Sequence, residues 1–201
     1  NVGEILKALE KSGLADNTIV IITADHGDNL YEEGVTLGHG LTFNGGLQAN
    51  HIPLLVKLPD AEARTIPEQV RLIDILPTLA DLLEVEKPSN WEGQSFSKWL
   101  DGSETPKSRA FYGETGFPFI QFRVKGIERP KLPPMDQMTG IDESFNYQFV
   151  LKKEYEESLV AAKQRCLATE KWKLICTPTI EGKRHFGLFR REGVNFSLQD
   201  V

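Results

Sequence analysis

The chain has 201 residues, 40% of them hydrophobic and 26% charged, with a formal net charge of -6. That composition describes an ordinary globular protein of one domain, or one large lobe with an appendage. The acidic balance argues against a general nucleic-acid or anionic-membrane binder, and no apolar run reaches the roughly 18 residues of a membrane span. The 2 cysteines are not a disulfide framework.

The first element is a helix. Val2, Ile5, Leu6 and Leu9 fall on one amphipathic stripe, and Gly13 supplies a cheap C-terminal stop. A short turn at Ala15 to Asn17 leads into Thr18 to Thr23, which reads TIVIIT. This continuous β-branched run predicts a strand buried on both faces, as in a parallel sheet. A chain that opens on helix and then buried strand is expected to begin in the middle of an α/β sheet. Ile52 to Leu58 is the second strand candidate, with Pro53 tolerated at its entry. Leu72, Ile75, Leu76, Leu79, Leu82 and Leu83 then recur at helical spacing, with Asp74 as N-cap and Pro77 in the first turn. A short helix is expected within Ser95 to Leu100 and a short strand at Ala110 to Tyr112.

From about residue 115 the texture changes. Arg129 to Pro134 reads as a turn-rich extended loop, and Tyr155, Leu159 and Ala162 as a helix face. Cys166 to Thr169, Trp172 to Cys176 and His185 to Phe189 are short strands separated by turn residues, an antiparallel meander. The expected layout is an α/β portion over residues 1–115 and a small α+β subdomain over 116–201.

The chemistry concentrates between residues 24 and 51, which hold His26, His39 and His51. Asp25 and His26 follow the buried strand directly, and open α/β sheets bind ligands beyond the carboxyl ends of their strands. A carboxylate oxygen beside an imidazole nitrogen forms half a shell for a divalent cation, and Gly27 lets the backbone turn or approach a ligand. The competing reading is a local turn, with Asp25 capping the strand end. Asp28 reads as a solvated turn residue with a weaker claim as a ligand. His39, between Gly38 and Gly40, is an uncrowded imidazole able to donate to an anion or act as a general acid. His51 at a strand entry and His185 in the meander read as structural.

These segments together resemble the sulfatase family of the alkaline phosphatase superfamily. The resemblance begins in Leu14 to Asp28, continues through Gly38 to Gly40, Asn50 to Pro59, Val70 to Leu83 and Glu92 to Ser95, and reaches Tyr112 to Thr115 and Lys171 to Ile175. It is weakest between residues 116 and 160, and rests on the order and spacing of the motifs together. The implied fold class is α/β: part of an alkaline-phosphatase-like mixed or parallel sheet with flanking helices, plus a small C-terminal antiparallel α+β subdomain. The implied activity is that of a metal-dependent sulfuric ester hydrolase. Phosphodiesterase, phosphonate hydrolase and phosphoethanolamine-type transferase activities of the same superfamily are alternatives, as is a non-catalytic module that kept the fold.

Residue by residue, the resemblance makes Asp25 and His26 metal ligands, with Ca2+ expected ahead of Mg2+, Mn2+ or Zn2+. It makes His39 the catalytic histidine facing the sulfate or phosphate group. The expected partner is a small-molecule or glycan sulfate or phosphate ester, with no nucleic acid and no membrane segment in this chain. The unpaired edge of such a sheet invites self-association. Two departures stand out. Tyr31 to Gly34 reads YEEG, so Glu33 stands where the family often has His, and a carboxylate there would repel a sulfate. The family's Cys/Ser-x-Pro-x-Arg nucleophile motif and the acidic pair before it have no counterpart. A formylglycine or Ser/Thr nucleophile is therefore expected outside this chain, and the isolated chain is expected to be inactive. Cys176-Thr177-Pro178 imitates that motif, but Ile180 stands where Arg belongs, and a cysteine in a strand is usually a small buried hydrophobe.

Overall fold

The helix expected at the start of the chain forms as α1, Val2–Lys11. Gly13 ends it with φ +71°, a left-handed conformation that glycine adopts at little cost. The computed structural model describes residues 2–30, 43, 49–59, 61–116, 126–192 and 195–200. They divide into two compact units: Asn1–His26 with His51–Arg109, and Gly27–Asn50 with Ala110–Val201.

In the first unit, a 3-10 turn at Ala15–Asn17 leads from α1 into β1, Val20–Thr23. Its described neighbour is β2, Leu54–Lys57, in antiparallel register from Val20↔Lys57 to Thr23↔Leu54. The Thr23 hydroxyl donates to the Pro53 carbonyl at 2.8 Å, pinning the end of the ribbon. Burial on both faces does not follow from the apolar run. Val20, Ile21 and Ile22 are half-buried, because a two-stranded ribbon covers little of each side chain.

A 3-10 turn, Leu72–Asp74, enters α2, Ile75–Leu82, and α3 follows at Ser97–Leu100. Asp74 occupies the N-cap position of α2 without a side-chain cap bond. Its carboxylate instead folds back to accept the Arg71 amide at 3.0 Å and reaches forward to the Gln94 amide at 2.9 Å. Within α2, Ile75, Leu79 and Leu82 are half-buried and Leu76 is exposed, whereas Pro77, Thr78 and Ala80 are buried. Polar contacts anchor this helix. Thr78 Oγ1 accepts the Phe96 amide at 3.0 Å, and Gly93 packs so closely that a Cβ would lie 1.9 Å from the Ile73 carbonyl oxygen. Phe96 and Trp99, each 4% exposed, complete this core.

In the second unit, β3 (Phe111–Glu114), β6 (Arg165–Ala168), β7 (Trp172–Pro178), β8 (Arg184–Glu192) and β9 (Asn195–Asp200) form one sheet in the order β3-β6-β7-β8-β9. Every pairing in it is antiparallel, as the meander pattern predicts. The short helix α4 (Met135–Met138) precedes a hairpin of β4 (Thr139–Asp142) and β5 (Gln148–Leu151), which the sequence does not announce. Helix α5, Glu156–Ala162, buries Leu159 and Ala162, the face predicted from its spacing. Along β7, Lys173, Ile175 and Thr177 are buried and alternate with half-buried Trp172, Leu174 and Cys176. Among the described residues, no helix is long and apolar enough to cross a membrane.

Candidate metal site at the end of the first strand

Asp25 and His26 lie two and three residues beyond the end of β1, where the sequence reading puts a site. The Asp25 Oδ1 atom accepts the His26 amide at 2.9 Å, and Oδ2 stands 3.7 Å from His26 Nε2. The local-turn geometry is therefore present, and it brings the two side chains together. The Asp25 side chain is 88% exposed and that of His26 34%, so both are open to a dissolved ion.

A hard carboxylate oxygen next to a borderline imidazole nitrogen fits half of a divalent-cation shell. Among the described residues no group of three or more His, Cys, Asp or Glu could hold a metal ion. The remaining donors of any such shell must come from elsewhere. His39 and Glu33 lie outside the described residues. His51 and His185 are exposed.

In the second unit, the Gly27 amide donates to the Ala49 carbonyl at 3.2 Å. Asn50 Oδ1 accepts from Lys173 Nζ at 2.6 Å. Burial pushes the Lys173 ammonium down to about 8, with Cys166 opposing the shift. Asn50 and Lys173 both fall in segments that carry the sulfatase resemblance, but neither is singled out for a role there. The one signal in the sequence is alternation, which puts Lys173 on the same strand face as Ile175.

The decoy cysteine sits mid-strand in β7, opposite Arg165 and Phe186. Cys166, on β6, is buried, which raises its thiol to about 11. Both cysteines are free. A cavity of about 370 Å³ in the first unit, bordered by Arg64, Glu68, Trp99 and Glu104, contains none of the candidate residues.

The family model described as Sulfatase matches residues 1–85. Over those residues the chain is similar to sulfatases. Arylsulfatase K of Bos taurus is 34% identical over 97 residues, covering 47% of this chain and 17% of that protein. Delta 4,5-hexuronate-2-O-sulfatase of Bacteroides thetaiotaomicron is 30% identical over 114 residues, covering 55% of this chain and 23% of that protein. Among solved structures, a protein in complex with its substrate D-glucosamine-2-N,6-O-disulfate superposes with a TM-score of 0.57 at 22% identity, covering 92% of this chain and 30% of that one. A 2-O GAG sulfatase gives a TM-score of 0.57 at 21% identity, covering 99% of this chain and 32% of that one. These likenesses extend the sulfatase fold over the rest of the chain. The chain spans less than a third of each of these four proteins.

Proposed function

We propose that the chain is part of a metal-dependent sulfuric ester hydrolase, in which Asp25 and His26 hold a divalent cation and His39 contacts the substrate anion. The observation that carries this reading is the Asp25–His26 pair: two accessible donors, 3.7 Å apart, directly after β1. The match of the family model to the segment containing them supports it. When bound, a divalent ion polarises the ester oxygens and stabilises the charge that develops as the bond to the leaving oxygen breaks. The chain's own share is to orient the carboxylate and imidazole from the end of a strand, with the Asp25 carboxylate accepting the His26 amide.

Ca2+ is the proposed ion, a sulfated sugar or other small sulfate ester the proposed substrate, and the compounds named for the relatives motivate that choice. The nucleophile, a formylglycine or a Ser/Thr hydroxyl, is proposed to lie outside the 201 residues, which would be inactive by themselves. Residues 1–115 would form the later part of the α/β catalytic domain and 116–201 a subdomain beside it.

Two measurements on the 201-residue chain test this. Substoichiometric Mn2+ should broaden the NMR resonances of Asp25, His26 and Gly27 ahead of all others. Ca2+ should reverse the effect, and Asp25→Ala should abolish it. Uniform broadening, or selective broadening that survives Asp25→Ala, would overturn the metal assignment. Assays with an aryl sulfate and a bis-aryl phosphodiester should show no turnover. Robust turnover that vanishes with Asp25→Ala would instead show the chain to be catalytically complete.

A further inference from the structure

The inner face of the five-stranded sheet carries polar groups that packing does not require. Gln164, Lys173 and Thr177 are 1%, 3% and 2% exposed. Burying such groups is unfavourable unless they are hydrogen-bonded, so their partners reveal what the face holds. The Gln164 carboxamide engages both backbone groups of Phe43. Its Oε1 accepts the Phe43 amide at 3.0 Å, and its Nε2 donates to the Phe43 carbonyl at 3.5 Å, as a neighbouring strand would. The same Nε2 donates to Thr177 Oγ1 at 2.8 Å, which fixes the carboxamide orientation. Lys173 reaches the same segment at a second point. Its Nζ donates to Asn50 Oδ1 at 2.6 Å and lies 5.7 Å from the centre of the Phe43 ring. Asn50 follows Ala49, whose carbonyl takes the Gly27 amide.

We propose that Lys173 and Gln164 are positioning residues, and that Lys173, acting through Asn50, fixes the Gly27–Ala49 contact at the base of the 27–50 segment. The sheet thereby grips the segment at Asn50 and at Phe43. A leucine or methionine at position 173 would fill the same space without desolvating an ammonium, so packing alone does not call for lysine. The functional consequence rests on the metal reading above, because Gly27 is joined to His26 by a single peptide bond. Holding the Gly27 amide limits the backbone orientations available to that imidazole.

Amide hydrogen exchange on the 201-residue chain tests the anchor without any metal. In Lys173→Met and in Asn50→Leu the Gly27 amide should exchange about tenfold faster or more, while the amides of the β6–β7 ladder keep their protection. The double variant should add little to either single one, because both break the same contact. Unchanged Gly27 exchange with the ladder intact would overturn the proposal. So would an equal loss of protection at Gly27 and throughout the ladder, which would make Lys173 a packing residue. If Lys173→Met does not fold, Asn50→Leu breaks the same hydrogen bond from the half-buried end and decides the matter. Mn2+ broadening at His26 should also weaken in Lys173→Met and recover in Lys173→Arg. If Asp25→Ala leaves that broadening untouched, the metal reading fails, and the exchange measurement still decides the anchor.

Discussion

Replacing Asp74 should remove the polar centre of the first unit. Its side chain is fully buried and accepts from five donors: the amides of Arg71 and Gln94, both guanidinium contacts of Arg71, and Arg109 Nη1 at 3.0 Å. Arg109 in turn stacks 4.4 Å from the centre of the Trp99 ring and donates to the Ser95 carbonyl, so one carboxylate ties together three stretches of chain. Removing one partner of a buried ion pair costs about 3–5 kcal/mol. Here the arginine side chains are still 20% and 13% exposed, and water can take over some of their solvation. The isosteric Asp74→Asn should therefore cost about 3 kcal/mol, the lower end of that range. For a chain of this size that lowers the melting temperature by roughly 6–12 °C. Circular dichroism melts and urea unfolding at neutral pH measure it. The acid dependence checks the cause. Burial alone would push the Asp74 carboxyl up, but hydrogen bonds from Arg71, Gln94 and Arg109 outweigh it and hold it below the usual carboxylate value of 3.8. A carboxyl lowered in this way contributes stability above pH 3.8 that is lost as the pH falls through its folded value. The gap between the parent and Asp74→Asn should be full at neutral pH and close in that acid range. A melting temperature unchanged to within about 2 °C at neutral pH, or a gap that persists below both pKa values, would refute the reasoning.

Gly93→Ala should destabilise by about 1–3 kcal/mol in urea, because the new methyl meets a backbone carbonyl rather than a yielding side chain; a neutral result would show that the turn relaxes freely. Cys166 should be alkylated far more slowly than Cys176 in the native chain and at an equal rate in denaturant, since it is 2% exposed with its thiol raised to about 11. Equal native rates would contradict that burial. Lys173 is lowered to about 8 in the fold against 10.5 ordinarily, so the unfolded chain binds the extra proton between those values. Its contribution to stability therefore rises with pH through that window, by up to roughly 1.4 kcal/mol per unit, with the raised Cys166 thiol working in the opposite sense above about 9. Urea midpoints of the parent minus Lys173→Met, compared near pH 7.5 and 9, should show this increase. A flat or falling difference would count against a desolvated ammonium.

Local pattern carried much of the architecture. The Val2, Ile5, Leu6 and Leu9 stripe, the glycine stop at Gly13 and the three meander strands are periodicities of adjacent residues, and they form as read. The β4–β5 hairpin was not legible, because Gly140 and Asp142 dilute the apolar alternation of β4. The leucine spacing correctly reads as the helix α2, but the Asp74 and Thr78 hydrogen bonds to Gln94 and Phe96 that anchor it join residues 18 to 20 apart and leave no periodic trace. The candidate site divides in the same way. Asp25 and His26 are adjacent and follow a strand, so their 3.7 Å separation is a local consequence of the sequence.

By itself, then, the sequence determined what depends on neighbours along the chain: helix and strand identity, the acid–imidazole pair at the end of β1, and the ordered motifs that resemble the sulfatases. Tertiary structure decided what depends on residues far apart in sequence. Asn50 and Lys173 form one hydrogen bond across a separation of 123 residues, and Phe43 and Gln164 another across 121. No periodicity encodes such a pair, because each partner's role exists only once the sheet has brought the buried Lys173 and Gln164 against a distant segment.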